Sequence, residues 1–270
     1  MREIEIYLPS IIYLYDGGRA TNLDLHEIAK YIKRNLGNIE VELRKDFVTH
    51  WLSRTPSNVK EQAIETLANK LARCKIRKID TKEQNFEPLL GEIDYERHNL
   101  FYEHFGILYD GFKLCKIFAE LIPANEHGFD FCHIIFTNQI FGTWDENDKR
   151  YHARVSVYGF PSIVSTSGIV EAPAKPKEFY LKQQMGVPFT TLKKEFKDQF
   201  IDYDDTRLTE VLKGYTMQAL FFHMMGEPFC EDKNCRLYNA HWQEEVIQAQ
   251  LNSHYEFCDQ HQMILNKVKK

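Results

Sequence analysis

Cys230 and Cys235 are separated by four residues in PFCEDKNCRL, and Cys258 and His261 close the later run CDQH. Thiolate sulfur and imidazole nitrogen are the donors that closed, tetrahedral zinc sites use, and two pairs supply four of them. The first pair lies just past a predicted helix end, where the chain can turn both sulfurs to one side. The second pair is spaced by about one helical turn, so its two side chains can face one point. The competing reading is four unrelated side chains, small core cysteines and a chance histidine, and His254 is a rival to His261 for the fourth position. Cys74, Cys115 and Cys132 are scattered through apolar segments and are expected to be small core residues.

The stretch ALFFHMMGEPFCEDKNC, residues 219–235, resembles the archaemetzincin family of zinc metallopeptidases, whose pattern is H-E-x-x-H-x-x-G-x-x-H-C-x-x-x-x-C followed further on by C-x-x-C. Aligned on Gly226, His223 takes the second zinc histidine and Cys230 and Cys235 take the two motif cysteines. Cys258 and His261 fall near the closing C-x-x-C, with histidine in place of the last cysteine. The hairpin HIIFTNQIFG…RYHARVSVYGF is similar in position and type to the sheet before that family's active-site helix, so the resemblance covers roughly residues 130–265. It implies a structural zinc on Cys230, Cys235, Cys258 and His261. The catalytic half departs from the pattern: Ala219 stands for the first zinc histidine, Leu220 for the general-base glutamate and Phe229 for the third histidine. Alanine removes the two-histidine chelate of the helix, and leucine cannot take a proton from zinc-bound water. A phenylalanine ring at 229 is expected to fill the space of a ligand, and His223 to serve as a packed or hydrogen-bonded core histidine.

The expectation is therefore a metallopeptidase homologue without catalysis, holding one structural zinc and binding a peptide or protein. The alternative is an active zinc metallopeptidase rebuilt around His223 with His133, His152, Glu227, His241 or Glu244. A third reading, a zinc-stabilised nucleic-acid binder, rests on Arg44, Lys45, Arg73, Lys75, Arg77, Lys78 and on Lys193, Lys194, Lys197. Net charge is −5, which gives nucleic acid no electrostatic pull, and no such partner is expected. His98 and His104 are expected at or near the surface.

The elements that must position these residues read as follows. Residues 3–7 (EIEIY) alternate as a strand that can run on to Tyr15, and Asp16-Gly17-Gly18 marks a turn. Thr21 or Asn22 caps a helix carrying Leu25, Ile28, Ala29, Ile32 and Leu36, and Gly37 stops it. Ile39–Leu43 is a second strand, Ser57 or Asn58 opens a second helix, and Lys75–Ile79 is a third strand. Residues 80–92 read as a loop, and 93–121 as helix broken near Gly106 to Gly111. Residues 131–142 and 152–158 form a hairpin around WDENDK, and 159–178 a long loop with a short strand at Ile163-Val164. A helix runs from about Asp205 to Gly226-Glu227-Pro228, and a last one from Asn239 to Val268, interrupted near Cys258. No internal repeat is evident.

This rhythm predicts an α/β (α+β) fold, a mixed β-sheet with covering helices, metzincin-like (zincin-like) in the C-terminal half. One metallopeptidase-like domain over 1–270 is expected, with a subdivision into a 1–80 βαβαβ part and a 130–270 part carrying the zinc segment. With 43% apolar and 27% charged residues, the composition is globular. The opening MREIEIYLPS has charges inside its apolar run, unlike a signal peptide, and no apolar run is long enough for a membrane span. A soluble, cytoplasmic protein is expected, in which thiols stay reduced and serve metals or cores before disulfides.

Overall fold

A computed structural model describes residues 6–17, 20–100 and 106–269. In chain order the elements are β1 (Ile11–Tyr15), α1 (Leu25–Leu36), β2 (Glu40–Arg44), α2 (Phe47–Arg54), α3 (Lys60–Cys74), α4 (Leu90–Asn99), β3 (Leu108–Asp110) and α5 (Gly111–Leu121). There follow β4 (Phe131–Thr137), β5 (Ile140–Asp145), β6 (Arg150–Arg154), β7 (Ser156–Val157), β8 (Ser162–Ser165), α6 (Thr166–Glu171), α7 (Lys177–Gln184) and α8 (Phe189–Glu195). The chain ends with α9 (Leu208–Met225), α10 (Gln243–Ile247), a π turn at Gln248–Asn252 and α11 (Asp259–Val268).

Five strands form one sheet in the order β2-β1-β4-β8-β7, with β7 antiparallel to β8 and the other pairings parallel. A second sheet has the order β3-β5-β6. The mixed α/β class is thus as expected. Both faces of the five-stranded sheet are buried, as a largely parallel sheet requires. Strand alternation sends Ile12, Leu14, Ile134, Phe136 and Val164 into a core shared with α1, α9 and α11. Tyr13, Tyr15, Ile135 and Ile163 point the other way, against Phe47, α3 and α5. β1 and β2, from the N-terminal third, therefore share a sheet with β4.

Several expectations need correction. Of the strand expected at 3–7, residues 3–5 lie outside the described residues, and the strand proper begins at Ile11, beyond Pro9, which has no N–H to give a ladder. The cap of α1 is Asp24, which accepts from the N–H groups of His26 and Glu27 at 2.9 and 3.1 Å; Thr21 and Asn22 instead bond Asp204. Lys75–Ile79 is no strand: it makes one bridge, Lys75 to Tyr109, and Lys75 turns inward to pair with the buried Glu96 at 2.7 Å. The span 131–142 is two strands in different sheets, broken where the Gln139 N–H bonds the Thr137 hydroxyl. The hairpin is β5 with β6. Residues 159–178 hold β8 and α6, more order than the loop expected there. His98 is exposed, whereas His104 and Gly18 lie outside the described residues.

The long α9 is buried on nearly every side, as a central core helix must be, and ends at Gly226 in the left-handed conformation (φ 76°) that favours glycine. Its Gly214 admits a close neighbour: a Cβ there would lie 1.8 Å from Gln250 Oε1. Among the described residues no helix is long and apolar enough to cross a membrane.

Candidate functional site

The loop after α9 and the start of α11 bring Cys230, Cys235, Cys258 and His261 together, with one donor atom from each lying within 4.8 Å of all the others. His254 is exposed and outside the cluster. Local structure explains the convergence. The Cys230 N–H bonds the Leu237 carbonyl at 2.9 Å and the Cys235 N–H the Asp232 carbonyl at 3.0 Å, folding the loop into a tight knuckle. Cys258 is the N-cap of α11 and His261 lies in its first turn, so one helical turn points both side chains the same way. Leu237, Phe257, Ile264 and Leu265 pack this module into the core, and Gln250 donates to the Arg236 carbonyl at 2.9 Å. Arg34 and Tyr31 of α1 both bond Glu256, two residues before Cys258.

The spacing suits a metal. Sulfurs about 2.3 Å from zinc at tetrahedral angles lie about 3.8 Å apart, and a sulfur–nitrogen edge is about 3.6 Å. Cys230 Sγ and Cys258 Sγ are 3.8 Å apart, and Cys235 Sγ lies 3.7 Å from His261 Nδ1. The Cys258 Sγ–His261 Nδ1 distance, 3.0 Å, is a hydrogen-bond length and shorter than that edge. The Asp232 N–H donates to Cys230 Sγ at 3.4 Å, and the N–H groups of Leu237 and Cys258 bond Cys235 Sγ. Such donors favour thiolates. Burial acts the other way, raising the Cys230 thiol and pushing Cys235 up to about 12, and it lowers His261. Cys230 and Cys235, two thiols that resist ionisation on their own, stand with Cys258 beside a neutral imidazole, a donor set that a divalent cation completes.

The helix of the degenerate motif is arranged differently from a metal site. Ala219 and Leu220 are 0% exposed and face the core. His223 is half-buried, and its Nε2 lies 2.8 Å from the Phe129 carbonyl oxygen, which only accepts, so Nε2 carries the proton. Phe229 is 43% exposed and packs near Tyr158 at 5.8 Å between ring centres, so it does not fill a buried ligand space as expected. The face of α9 that borders the groove carries Tyr215, Gln218 and Phe222, the last two one position before the aligned residues 219 and 223. It forms one wall of this groove of about 450 Å³, whose opposite wall is residues 153–158. Gln218 is 1% exposed and held: its Oε1 accepts from the Tyr158 hydroxyl at 2.5 Å and its Nε2 donates to the Tyr238 carbonyl at 3.0 Å. Phe222 also lines a neighbouring apolar cavity of about 650 Å³ with Phe129, Phe160, His223 and Met225.

The side chains considered for a rebuilt site are dispersed. His133 is buried beneath the sheet, where Tyr15 Oη donates to Nδ1 and Nε2 donates to the Glu126 carbonyl, each at 3.0 Å. Burial pushes its pKa down to about 4, so the ring is neutral. His152 pairs with Asp148, and Glu227, His241 and Glu244 are exposed. Among the described residues, no group of three metal-ligating atoms includes His223. Cys74, Cys115 and Cys132 are buried, and burial pushes their thiols to about 12, 11 and 12. Much of the basic character is paired at home: Arg44 with Glu126, Arg73 with Glu87, Arg77 with Glu92, Lys193 with Asp202. Reading the sequence missed the groove, because its floor is set by which face of α9 is open.

A family model described as "Probable metallopeptidase family (DUF6775)" matches residues 8–268. Among solved structures, archaemetzincin from Methanopyrus kandleri is similar, at 12% identity and a TM-score of 0.45, covering 99% of this chain and 97% of that one. A zinc-dependent peptidase from Methanocorpusculum labreanum is also similar, at 12% identity and a TM-score of 0.41, covering 95% of this chain and all of that one. No curated protein matches by sequence.

Proposed function

Since the chain belongs to the "Probable metallopeptidase family", we propose that it is a metallopeptidase-like protein that has lost hydrolysis, keeps one structural zinc, and uses its groove to bind an extended peptide. The zinc is held by Cys230, Cys235, Cys258 and His261. One observation carries the loss of hydrolysis: the helix face bordering the groove presents Tyr215, Gln218 and Phe222, which include neither a strong zinc ligand nor a general base. His223, the one surviving motif position, spends its Nε2 proton on the Phe129 carbonyl. The peptide part rests on the groove wall. β6 and β7 are each the edge strand of their sheet, and residues 153–158 run along that edge, where an added strand can pair with backbone.

The test is zinc per chain by elemental analysis, on protein purified reduced and without chelator, together with hydrolysis of a quenched-fluorescence peptide library. One zinc, lost in the Cys230→Ser/Cys258→Ser double variant, with no cleavage above a buffer blank, is the expected result. Two zincs, one of them and a peptidase activity both abolished by His223→Ala, would replace this reading with that of an active enzyme.

A further inference from the structure

Among the described residues that line the groove, Arg154 is the one arginine or lysine, His241 lies at its margin, and no carboxylate is present. This is unusual in a chain where acidic residues exceed basic ones by 39 to 34. Arg154 sits at the end of β6, half-buried, and its Nε donates to the Thr143 hydroxyl on β5 at 2.8 Å. That bond fixes the guanidinium plane. No described carboxylate lies within ion-pair distance of it, and its two terminal nitrogens make no hydrogen bond to a described residue. Asp145 on β5 feels the Arg154 charge only as a lesser influence; its carboxyl is held low first by the N–H groups of Asp148 and Asn147. Around the cation the groove is aromatic and aliphatic, lined by Tyr158, Phe222, Phe229, Val155 and Val157.

A planar cation with two unoccupied donor nitrogens, anchored at its third, is built to grip a carboxylate through two parallel hydrogen bonds. Apolar walls lower the local dielectric and strengthen that contact. Resting on the peptide-binding reading above, the geometry points to an extended peptide with an acidic side chain over Arg154 and bulky apolar side chains against Tyr158, Phe222 and Phe229. Pairing along residues 153–158 sets the register, and the alternation of a strand puts the acid and its second neighbours on the same side. The groove therefore selects Asp or Glu at one position and apolar residues two positions away.

Positional-scanning pools of fluorescein-labelled, C-terminally amidated octapeptides, each with one fixed residue, test this by fluorescence polarisation on the full-length, zinc-loaded protein. Pools fixed as Asp or Glu at one internal position should bind about tenfold or more tighter than the Asn and Gln pools, the worth of a charge-assisted hydrogen-bonded pair. Arg154→Met should erase that preference while the apolar preference stays, and Arg154→Lys should restore part of it. Thermal melts check that the variants are folded. Equal binding of acid and amide pools, or an acid preference that survives Arg154→Met, overturns the assignment while leaving peptide binding intact. A matching set with free C-termini is run beside the amidated pools, and tight binding confined to that set would make the ligand a terminal carboxylate and overturn the side-chain choice. If no pool binds, the peptide-binding reading falls, and this inference with it.

Discussion

Removing zinc should unclamp the segment from Cys230 to His261, and the size of the effect can be worked out. An ion that binds the folded chain alone stabilises it by RT ln(1 + [L]/Kd), about 4 kcal/mol at a thousandfold excess over Kd. At about 2 cal/mol/K of unfolding entropy per residue, a chain of 270 residues loses about 7 °C of melting midpoint for that amount. Calorimetry of the reduced protein before and after exhaustive chelation should show that drop, and Cys235→Ser should show it without chelator. Proton release gives an independent check. Each thiol must lose its proton to bind, and burial raises Cys230 and Cys235, the latter to about 12, so those protons are still present at pH 7. Burial lowers His261, which is therefore neutral and releases none. Titrating zinc into the stripped protein, in buffers of different ionisation enthalpy, should release at least the protons of Cys230 and Cys235 for each ion bound. The sign follows: affinity rises with pH, and a step from pH 7 to 6 costs about 1.4 kcal/mol for each proton released. A midpoint indifferent to chelation, or binding that releases one proton or none, would refute the four-ligand site.

Writing the motif back with Ala219→His and Leu220→Glu should not yield a second zinc, because both positions face the core; elemental analysis should stay at one, with stability down by about 3 kcal/mol or more from the buried polar groups. Gly214→Ala should destabilise by about 1–3 kcal/mol in urea unfolding, although alanine favours helix, because the new Cβ meets Gln250 Oε1. Glu126→Gln should cost about 3 kcal/mol, since it removes the buried one of Arg44's two carboxylate partners and leaves only the half-exposed Glu42. The same carboxylate sets an acid limit. Burial alone would raise Glu126, but hydrogen bonds from Arg44 and Arg54 outweigh it and hold the pKa at about 2. A folded pKa below the unfolded one means stability that is full above about pH 4.5 and lost as pH falls toward 2, so the wild-type acid slope should shrink in Glu126→Gln.

How far the sequence could be read depended on the range of the signal. The two donor pairs are each local: the Cys230–Cys235 spacing makes a knuckle and the Cys258–His261 spacing one helical turn, so spacing alone was enough to suggest their convergence. The end of α9 was equally legible, because Gly226 must adopt a positive φ there. Failures came where tertiary partners decide. Lys75–Ile79 has a strand's pattern, but Glu96 draws Lys75 inward and one bridge is all that forms. Residues 131–142 read as one strand, since nothing local says that β4 and β5 belong to different sheets. The short α2 did leave a signal that went unused, Asp46 capping the Thr49 N–H just before the apolar Phe47.

The same distinction bears on the degenerate motif. Alignment on Gly226 asks what replaced the catalytic residues at 219, 220 and 229, and Ala219, Leu220 and Phe229 say that a metal chelate and its base are missing. The structure adds a different point: the helix turns Ala219 and Leu220 into the core and offers the groove Tyr215, Gln218 and Phe222 instead. A helix advances about 100° per residue, so the groove-facing positions 218 and 222 lie that far round the helix from 219 and 223. Restoring the motif letters would then restore no site, since the chelate would close inside the core. Gln218 helps to hold this orientation through Tyr158 and the Tyr238 carbonyl, tying the helix at once to the edge-strand wall and to the segment that follows Cys235. The cysteine module and the groove are therefore mechanically joined. Loss of zinc should loosen the Tyr238 anchor and weaken peptide binding, even though none of the four proposed ligands lines the groove.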